Sequence, residues 1–412
     1  MAKSGTLELE PPPLRNVRSL TGLRFLMSIT VFVSHLAVVL PVPRVNDVLG
    51  LAGAGGTFFL VLSGFALTWS FRGDDTLRWF LGRRMARIWP TLVIAVALPL
   101  GFALAAPGTD AAHMIGAAFA SLFFVQAWIP GVVLETTNPV TWMLSCMVFF
   151  YVIFLWVGRF ALRRSLRQLA WIAVATLAYG WVLRIVLWIA YPPSEPLALD
   201  DAAGLTFGIY SPPGRIHEFL FGVLMAAAMR RGLRFRFSVG QVFAAIAVAL
   251  GVMWVLADAS VRSMVPHDPL DLVMAPLYAC LLAAYTQREL DGRSSLYARP
   301  ALVSLGKISM GIYLFHFTVI FTIAAMVYPD KEMVDFFLDP VTPVNSHWLW
   351  GAVGLAVSLL VGWLAYRFFE DPIERRIRRY LDARSGRGAP AAGATPETEK
   401  PGLVGSSTSD SA

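Results

Sequence analysis

Residues 20–40 read LTGLRFLMSITVFVSHLAVVL, an apolar run interrupted by Arg24 and His35. A bilayer-spanning helix needs about 20 predominantly apolar residues, so this run alone asks for one. Eleven positions at ~100° each return to nearly the same direction, so Arg24 and His35 face one side, ~16 Å apart along the axis. Two readings stand for the pair. Either Arg24 snorkels to the cytoplasmic surface and His35 bonds a neighbouring carbonyl, or the two mark a pathway or site, because ionisable groups are costly in a bilayer.

Composition extends the membrane reading to the whole chain. Of 412 residues, 57% are hydrophobic and 15% charged, where a soluble globule carries ~25% charged. The expected fold is an all-α polytopic membrane protein. The net charge of +7 comes from Lys and Arg beside apolar segments, which fits topology and anionic membrane lipids and not nucleic acid. Cys146 and Cys280 both stand in apolar surroundings and read as small buried hydrophobes, with no metal site implied. The start, MAKSGTLELEPPPLRNVRS, lacks the apolar core of a cleavable signal peptide. The first span is therefore expected to remain as signal and anchor.

Eleven apolar segments follow one another, near 20–41, 50–71, 88–106, 113–130, 141–158, 170–191, 213–229, 238–257, 271–286, 302–328 and 347–368. Arg15 and Arg18, Arg83, Arg84 and Arg87, Arg159 to Arg167, Arg230 to Arg236 and Arg375 to Arg379 should be cytoplasmic by the positive-inside rule. Glu195, Asp200, Asp201, Asp330, Glu332, Asp335 and Asp339 then lie outside. The alternation closes only if one segment between Arg87 and Arg159 fails to span. The weakest is 113–130, with His113, Gln126 and a terminal Pro130. Charge alternation thus predicts about ten spans, both termini cytoplasmic, and 113–130 as a re-entrant or interfacial helix. On this reading residues 1–14 are expected to form a flexible N-terminus, 15–380 the transmembrane domain, and 381–412, rich in Gly, Ala, Pro, Ser and Thr, a disordered cytoplasmic tail.

Several polar groups interrupt the apolar segments, and each has a plain structural reading. Gly55, Gly56, Ser63 and Gly64 in GGTFFLVLSGF permit close helix packing. In Arg83-Arg84-Met85-Ala86-Arg87-Ile88-Trp89-Pro90 the basic residues serve as topology signals. Arg84 and Arg87, three apart at a helix start, would equally suit phosphates. Arg215 and Glu218 are spaced for an ion pair. Tyr313 and His316 share a helix face and could form a tyrosine–histidine hydrogen bond.

Taken in order, Arg24-x10-His35, FFLVLSGF, RRMARIWP, TWMLSCMVFFY, RIHEF, LGKISMGIYLFH and YRFFEDP resemble the acyltransferase-3 family of integral membrane O-acyltransferases over about residues 15–375. The resemblance implies transfer of an acyl group, commonly acetyl from acetyl-CoA. The acceptor would be a hydroxyl of a cell-surface glycan, a lipid-linked sugar or a macrolide-type secondary metabolite. It implies His35 as the catalytic histidine, Arg24 as its electrostatic partner or a CoA ligand, and Arg83, Arg84 and Arg87 against the CoA phosphates. Ser63, Arg215, Glu218, Tyr313 and His316 are substrate-site candidates. Acyl-CoA is a donor substrate, with no permanently bound cofactor and no metal, and the location implied is the bacterial plasma membrane.

The family block resembled by TWMLSCMVFFY commonly carries a glutamate where this chain has Met147, and Glu218 and Glu370 are the candidates to replace it. The departure implies a reorganised site, a narrower substrate range or weakened catalysis. A glycan or lipid transporter, or a non-catalytic partner protein, would also show buried charge in a polytopic bundle. Against transport, no internal repeat and no matched pair of broken helices is visible.

Overall fold

The computed structural model describes residues 17–43, 51–71, 76–106, 108–191, 199–256, 269–331, 336 and 341–384. Among them there is no strand. In chain order the first helices are α1 (Arg18–Val39), α2 (Gly55–Ser70), α3 (Leu77–Ala105), α4 (Ala111–Leu122), the single turn α5 (Val132–Glu135), α6 (Trp142–Leu162), α7 (Leu166–Ala190) and α8 (Leu199–Tyr210). There follow α9 (Pro212–Arg230), α10 (Val239–Leu256), α11 (Leu270–Leu290), α12 (Pro300–Lys307), α13 (Ser309–Val327), α14 (Ser346–Ala365) and α15 (Asp371–Arg384).

Among the described residues, eight helical stretches are long and apolar enough to cross a bilayer, fewer than the about ten spans that charge alternation predicts. The difference lies in two helices inside the bundle. α2 has only 16 residues, ~24 Å at 1.5 Å per residue, and α9 carries Arg215, His217 and Glu218 in its first half. Both bury most of their residues against neighbouring helices, so neither has to be as apolar as a lipid-facing span. α4, with 12 residues or ~18 Å, is too short to cross, in keeping with the surface or re-entrant helix expected at 113–130. Its boundaries differ because Asp110 caps it, accepting from the His113 N–H at 3.1 Å. Phe124 then turns the chain away with a left-handed φ of 60°.

Three other boundaries depart from the sequence reading. α3 starts at Leu77, well before the apolar run at 88, because Thr76 caps it by accepting from the Trp79 N–H at 3.4 Å. The segment expected at 302–328 is two helices, α12 and α13, separated at Ile308. α12 docks on α1, where a Cβ on Gly306 would stand 1.8 Å from the Thr21 carbonyl oxygen. After α14 the chain passes through a π-helical turn, Tyr366–Glu370, into α15. Residues 381–384, assigned above to the tail, therefore belong to a helix. The expected N-terminal segment 1–14, the rest of the tail, and Glu195, Glu332, Asp335 and Asp339 lie outside the described residues.

Polar contacts gather the helix ends at two levels. The backbone N–H groups of Arg18 and Ser19 donate to the Glu289 carboxylate at 3.0 and 2.7 Å. Arg230 Nη1 donates to the carbonyls of Thr68 and Phe71 at 2.7 and 2.8 Å, and Arg231 Nε to that of Leu162 at 3.1 Å. These bonds define an arginine-rich end. At the other end His347 Nδ1 donates to the Pro41 carbonyl at 2.7 Å.

Small residues decide how closely the central helices approach. A Cβ on Gly64 of α2 would stand 2.1 Å from the Phe219 carbonyl oxygen, and one on Gly222 of α9 1.9 Å from that of Val61. Gly55 is likewise packed, against Thr30 and Val31, whereas Gly56 meets nothing within 4 Å. The packing reading of the glycines thus fails for Gly56, which lies off the helix contact. Gly222→Ala should destabilise the bundle by about 1–3 kcal/mol through overpacking, and Gly56→Ala should be near neutral. Thermal unfolding of the two purified variants in detergent, followed side by side, checks this.

Candidate active site

α1 and α3 bring three arginines into one place. Arg24 of α1 and Arg84 and Arg87 of α3 line one open pocket, together with Ser63, Met147 and Tyr151. Arg84 lies over the Phe80 ring at 5.4 Å and the Tyr151 ring at 6.0 Å, so π-faces partly offset its desolvation. Among the described residues, the carboxylate that pairs with this arginine group is that of Glu370, buried at the π-helical turn with Oε1 3.6 Å from Arg87 Nε. Three guanidiniums against one carboxylate leave the pocket cationic. Low-dielectric walls strengthen its pull on an anion.

Arg83 does not share this pocket. Its guanidinium pairs with Asp382 of α15 at 3.0 Å and stacks on Trp79 at 4.7 Å. Successive helix positions differ by ~100°, so Arg83 and Arg84 cannot both face inward. The helix N-terminus expected to help at Arg84 is also absent, since α3 begins seven residues earlier. Guanidiniums alone supply the attraction.

His35 lies further along α1, against α13. Its Nδ1 is 2.9 Å from the Val31 carbonyl oxygen and 3.3 Å from His316 Nε2. The two imidazole centroids are 4.9 Å apart, and Phe317 meets the His35 ring edge-on at 5.5 Å. The bland reading, a histidine on a nearby carbonyl, is therefore geometrically true, but the second histidine is an addition to it. Arg24 is not in contact with His35; the electrostatic partnership gives way to a shared helix side. Tyr313, a pocket residue, has its ring 5.8 Å from that of His316. An aromatic line thus runs from the pocket through Tyr313 and His316 to His35. The expected tyrosine–histidine hydrogen bond is not made between side chains. Tyr313 Oη donates to the Val140 carbonyl at 2.5 Å, and His316 Nδ1 bonds the Tyr313 backbone carbonyl at 2.6 Å.

Arg215 and Glu218 lie elsewhere, in a buried ion network. Arg215 Nη1 bonds Glu218 Oε1 at 3.0 Å and Asp271 Oδ2 at 2.9 Å, and Arg184 Nη2 bonds the same Asp271 oxygen at 2.5 Å. The Thr57 hydroxyl donates to Glu218 at 2.8 Å. Two cations and two carboxylates cancel, tying α2, α7, α9 and α11 together. Donor atoms of His217, Glu218 and Asp271 lie within 4.8 Å of one another, but the two guanidiniums already take the carboxylates. Glu218 is committed there, and so does not stand in for the carboxylate missing at Met147. Arg184 and Asp271 escaped the sequence reading, although charge inside the apolar runs at 170–191 and 271–286 was the signal for them.

The family model of the acyltransferase-3 domain, described as an acyltransferase domain, matches residues 17–367. The chain belongs to the acyltransferase-3 family. It is 30% identical over 391 residues to the acyltransferase MdmB of Streptomyces mycarofaciens, covering 90% of this chain and 94% of that protein. It is 27% identical over 348 residues to the exopolysaccharide production protein ExoZ of Rhizobium meliloti strain 1021, covering 82% and 95%. No solved structure matches the chain. This acyltransferase-3 member is thus an acyltransferase, and the eight long apolar helices among its described residues make it a multi-pass membrane protein.

Asp271→Ala, which strands two buried guanidiniums, should cost about 3–5 kcal/mol and show as a loss of monodisperse protein on size exclusion in detergent. Arg83→Ala, at a partly exposed pair, should stay within about 1 kcal/mol.

Proposed function

We propose that this protein is an O-acyltransferase that takes an acyl group, commonly acetyl, from acyl-CoA. It passes the group to a hydroxyl of a cell-surface glycan, a lipid-linked sugar or a macrolide-type metabolite, with His35 as general base. The observation that carries the proposal is the convergence of Arg24, Arg84 and Arg87 on one pocket whose wall continues through Tyr313 and His316 to His35. Forked guanidiniums suit phosphates. CoA keeps its phosphates and its thioester at opposite ends of a long flexible arm, so an anion site and a base well apart on α1 match its two ends. A hydroxyl is a poor nucleophile at neutral pH, and an imidazole that takes its proton as it attacks the thioester removes that obstacle.

Other features support the same reading. The arginine-rich end is the cytoplasmic one by the positive-inside rule, which is the side where acyl-CoA is found, and the location is the bacterial plasma membrane. One relative is named as an acyltransferase and the other as an exopolysaccharide production protein, consistent with either a metabolite or a glycan acceptor. Met147, in the pocket wall, stands where the family resemblance leads one to expect glutamate. An apolar side chain there leaves the guanidiniums free for the donor's phosphates.

The test uses the purified protein in lipid nanodiscs with radiolabelled acetyl-CoA. The acceptor is a total extract of glycans and metabolites from a deletion strain. His35→Ala should abolish label transfer while leaving the yield of folded protein unchanged; transfer that persists in this variant would sink the base assignment. Arg84→Ala should raise the apparent KM for acetyl-CoA about tenfold to a hundredfold with little change in kcat, since a charge-assisted bond is worth ~1.5–3 kcal/mol of uniform binding. Met147→Glu should also raise that KM, because a carboxylate beside the guanidiniums competes with the phosphates. An unchanged KM in both variants would place the donor elsewhere.

A further inference from the structure

His35 needs the correct nitrogen free if it is to act as a base, and its surroundings decide which one. His316 Nδ1 is 2.6 Å from the Tyr313 carbonyl oxygen and 3.3 Å from that of Ile312. A bare nitrogen facing two carbonyl oxygens would set lone pair against lone pair, so Nδ1 of neutral His316 carries the proton. Its Nε2 is then an acceptor. That acceptor faces His35 Nδ1 at 3.3 Å, while the Val31 carbonyl oxygen faces the same nitrogen at 2.9 Å. Two acceptors on one nitrogen require a proton there too. Both rings are therefore Nδ1–H tautomers, since the bond made by one ring nitrogen sets the state of the other. No described residue bonds His35 Nε2, which keeps its lone pair.

We propose that His316 is a positioning residue for acyl transfer: its Nε2, with the Val31 carbonyl, holds the proton on His35 Nδ1 and so presents His35 Nε2 as the base. The inference rests on the general-base reading of His35. In the step, the acceptor oxygen attacks the thioester carbonyl carbon and its proton passes to His35 Nε2. The carbon–sulfur bond breaks, and that proton then moves to the departing CoA sulfur, leaving an ester, free CoA and neutral His35. In the interval the imidazolium donates Nδ1–H to two acceptors already in place. A neutral imidazole here does what a carboxylate does for many catalytic histidines, without adding a negative charge to the apolar interior. The pair also lies between ring edges, Phe317 at 5.5 Å from His35 and Phe32 at 6.5 Å from His316, which limits how either ring can turn.

The same nanodisc assay, with radiolabelled acetyl-CoA and the deletion-strain extract, separates positioning from folding through two substitutions. His316→Leu removes the acceptor; His316→Gln keeps an oxygen near the place of Nε2. We expect His316→Leu to lower the apparent kcat about tenfold or more, as loss of a partner that orients a histidine does elsewhere, with KM for acetyl-CoA within about twofold. His316→Gln should recover most of that loss. Wild-type kcat in His316→Leu overturns the proposal, and so does an equal loss in both variants accompanied by lower folded yield or raised KM. His35→Ala run alongside keeps the two readings apart. If it is active the base assignment itself fails, whereas if it is dead while His316→Leu is fully active only the positioning role fails.

Discussion

The bundle depends on two helices touching backbone to backbone. With no Cβ at Gly64 or Gly222, α2 and α9 close to a distance at which either side chain would strike a carbonyl oxygen of the other helix. Within a bilayer, burying apolar surface gives helices little reason to associate, so close packing and polar contacts carry the assembly. The approach of α2 and α9 also brings Thr57 to Glu218. The ion network then reaches through Arg215 and Asp271 to α11 and α7. Phe59, Leu62 and Ser63, on the same helix as Gly64, become part of the pocket wall. Packing and site are thus two faces of α2.

Charge is handled in opposite ways at the two polar regions. In the ion network each guanidinium meets a carboxylate, and the region is electrically closed. It serves as a structural latch with nothing left for a ligand to neutralise. Of the three guanidiniums at the pocket, Arg87 is the one that pairs with a carboxylate among the described residues, that of Glu370, and the balance is left open toward the arginine-rich end. An anion entering there would restore neutrality, which is the physical sense of a cationic site held at a membrane boundary. The histidine pair follows a third pattern, two neutral rings joined by backbone carbonyls, which the apolar interior tolerates because no net charge is buried.

Much of this was legible in order along the chain. Arg24 and His35 stood out because ionisable groups are rare inside apolar runs, and helical geometry put them on one side of α1, where the structure has both facing α13 and its neighbours. Arg84 and Arg87, three apart, were readable as one face of a helix. Other features were not legible. Thr76 starts α3 early, so the helix-end contribution at Arg84 vanished and Arg83 turned away to Asp382. Gly306 lets α12 press on α1, and one expected span became two helices.

The sequence by itself determined the class of fold, the family and the residues worth suspecting, because hydropathy, charge alternation and ordered motifs are properties of the chain in one dimension. Tertiary structure alone decided the partners. That His35 meets His316 and not Arg24, that Arg24 joins Arg84 and Arg87, and that Glu218 is spent on Arg215 all depend on which helices lie side by side. Contacts between residues 281 positions apart, as in the histidine pair, are set by close packing between helices. No local pattern in either segment encodes them.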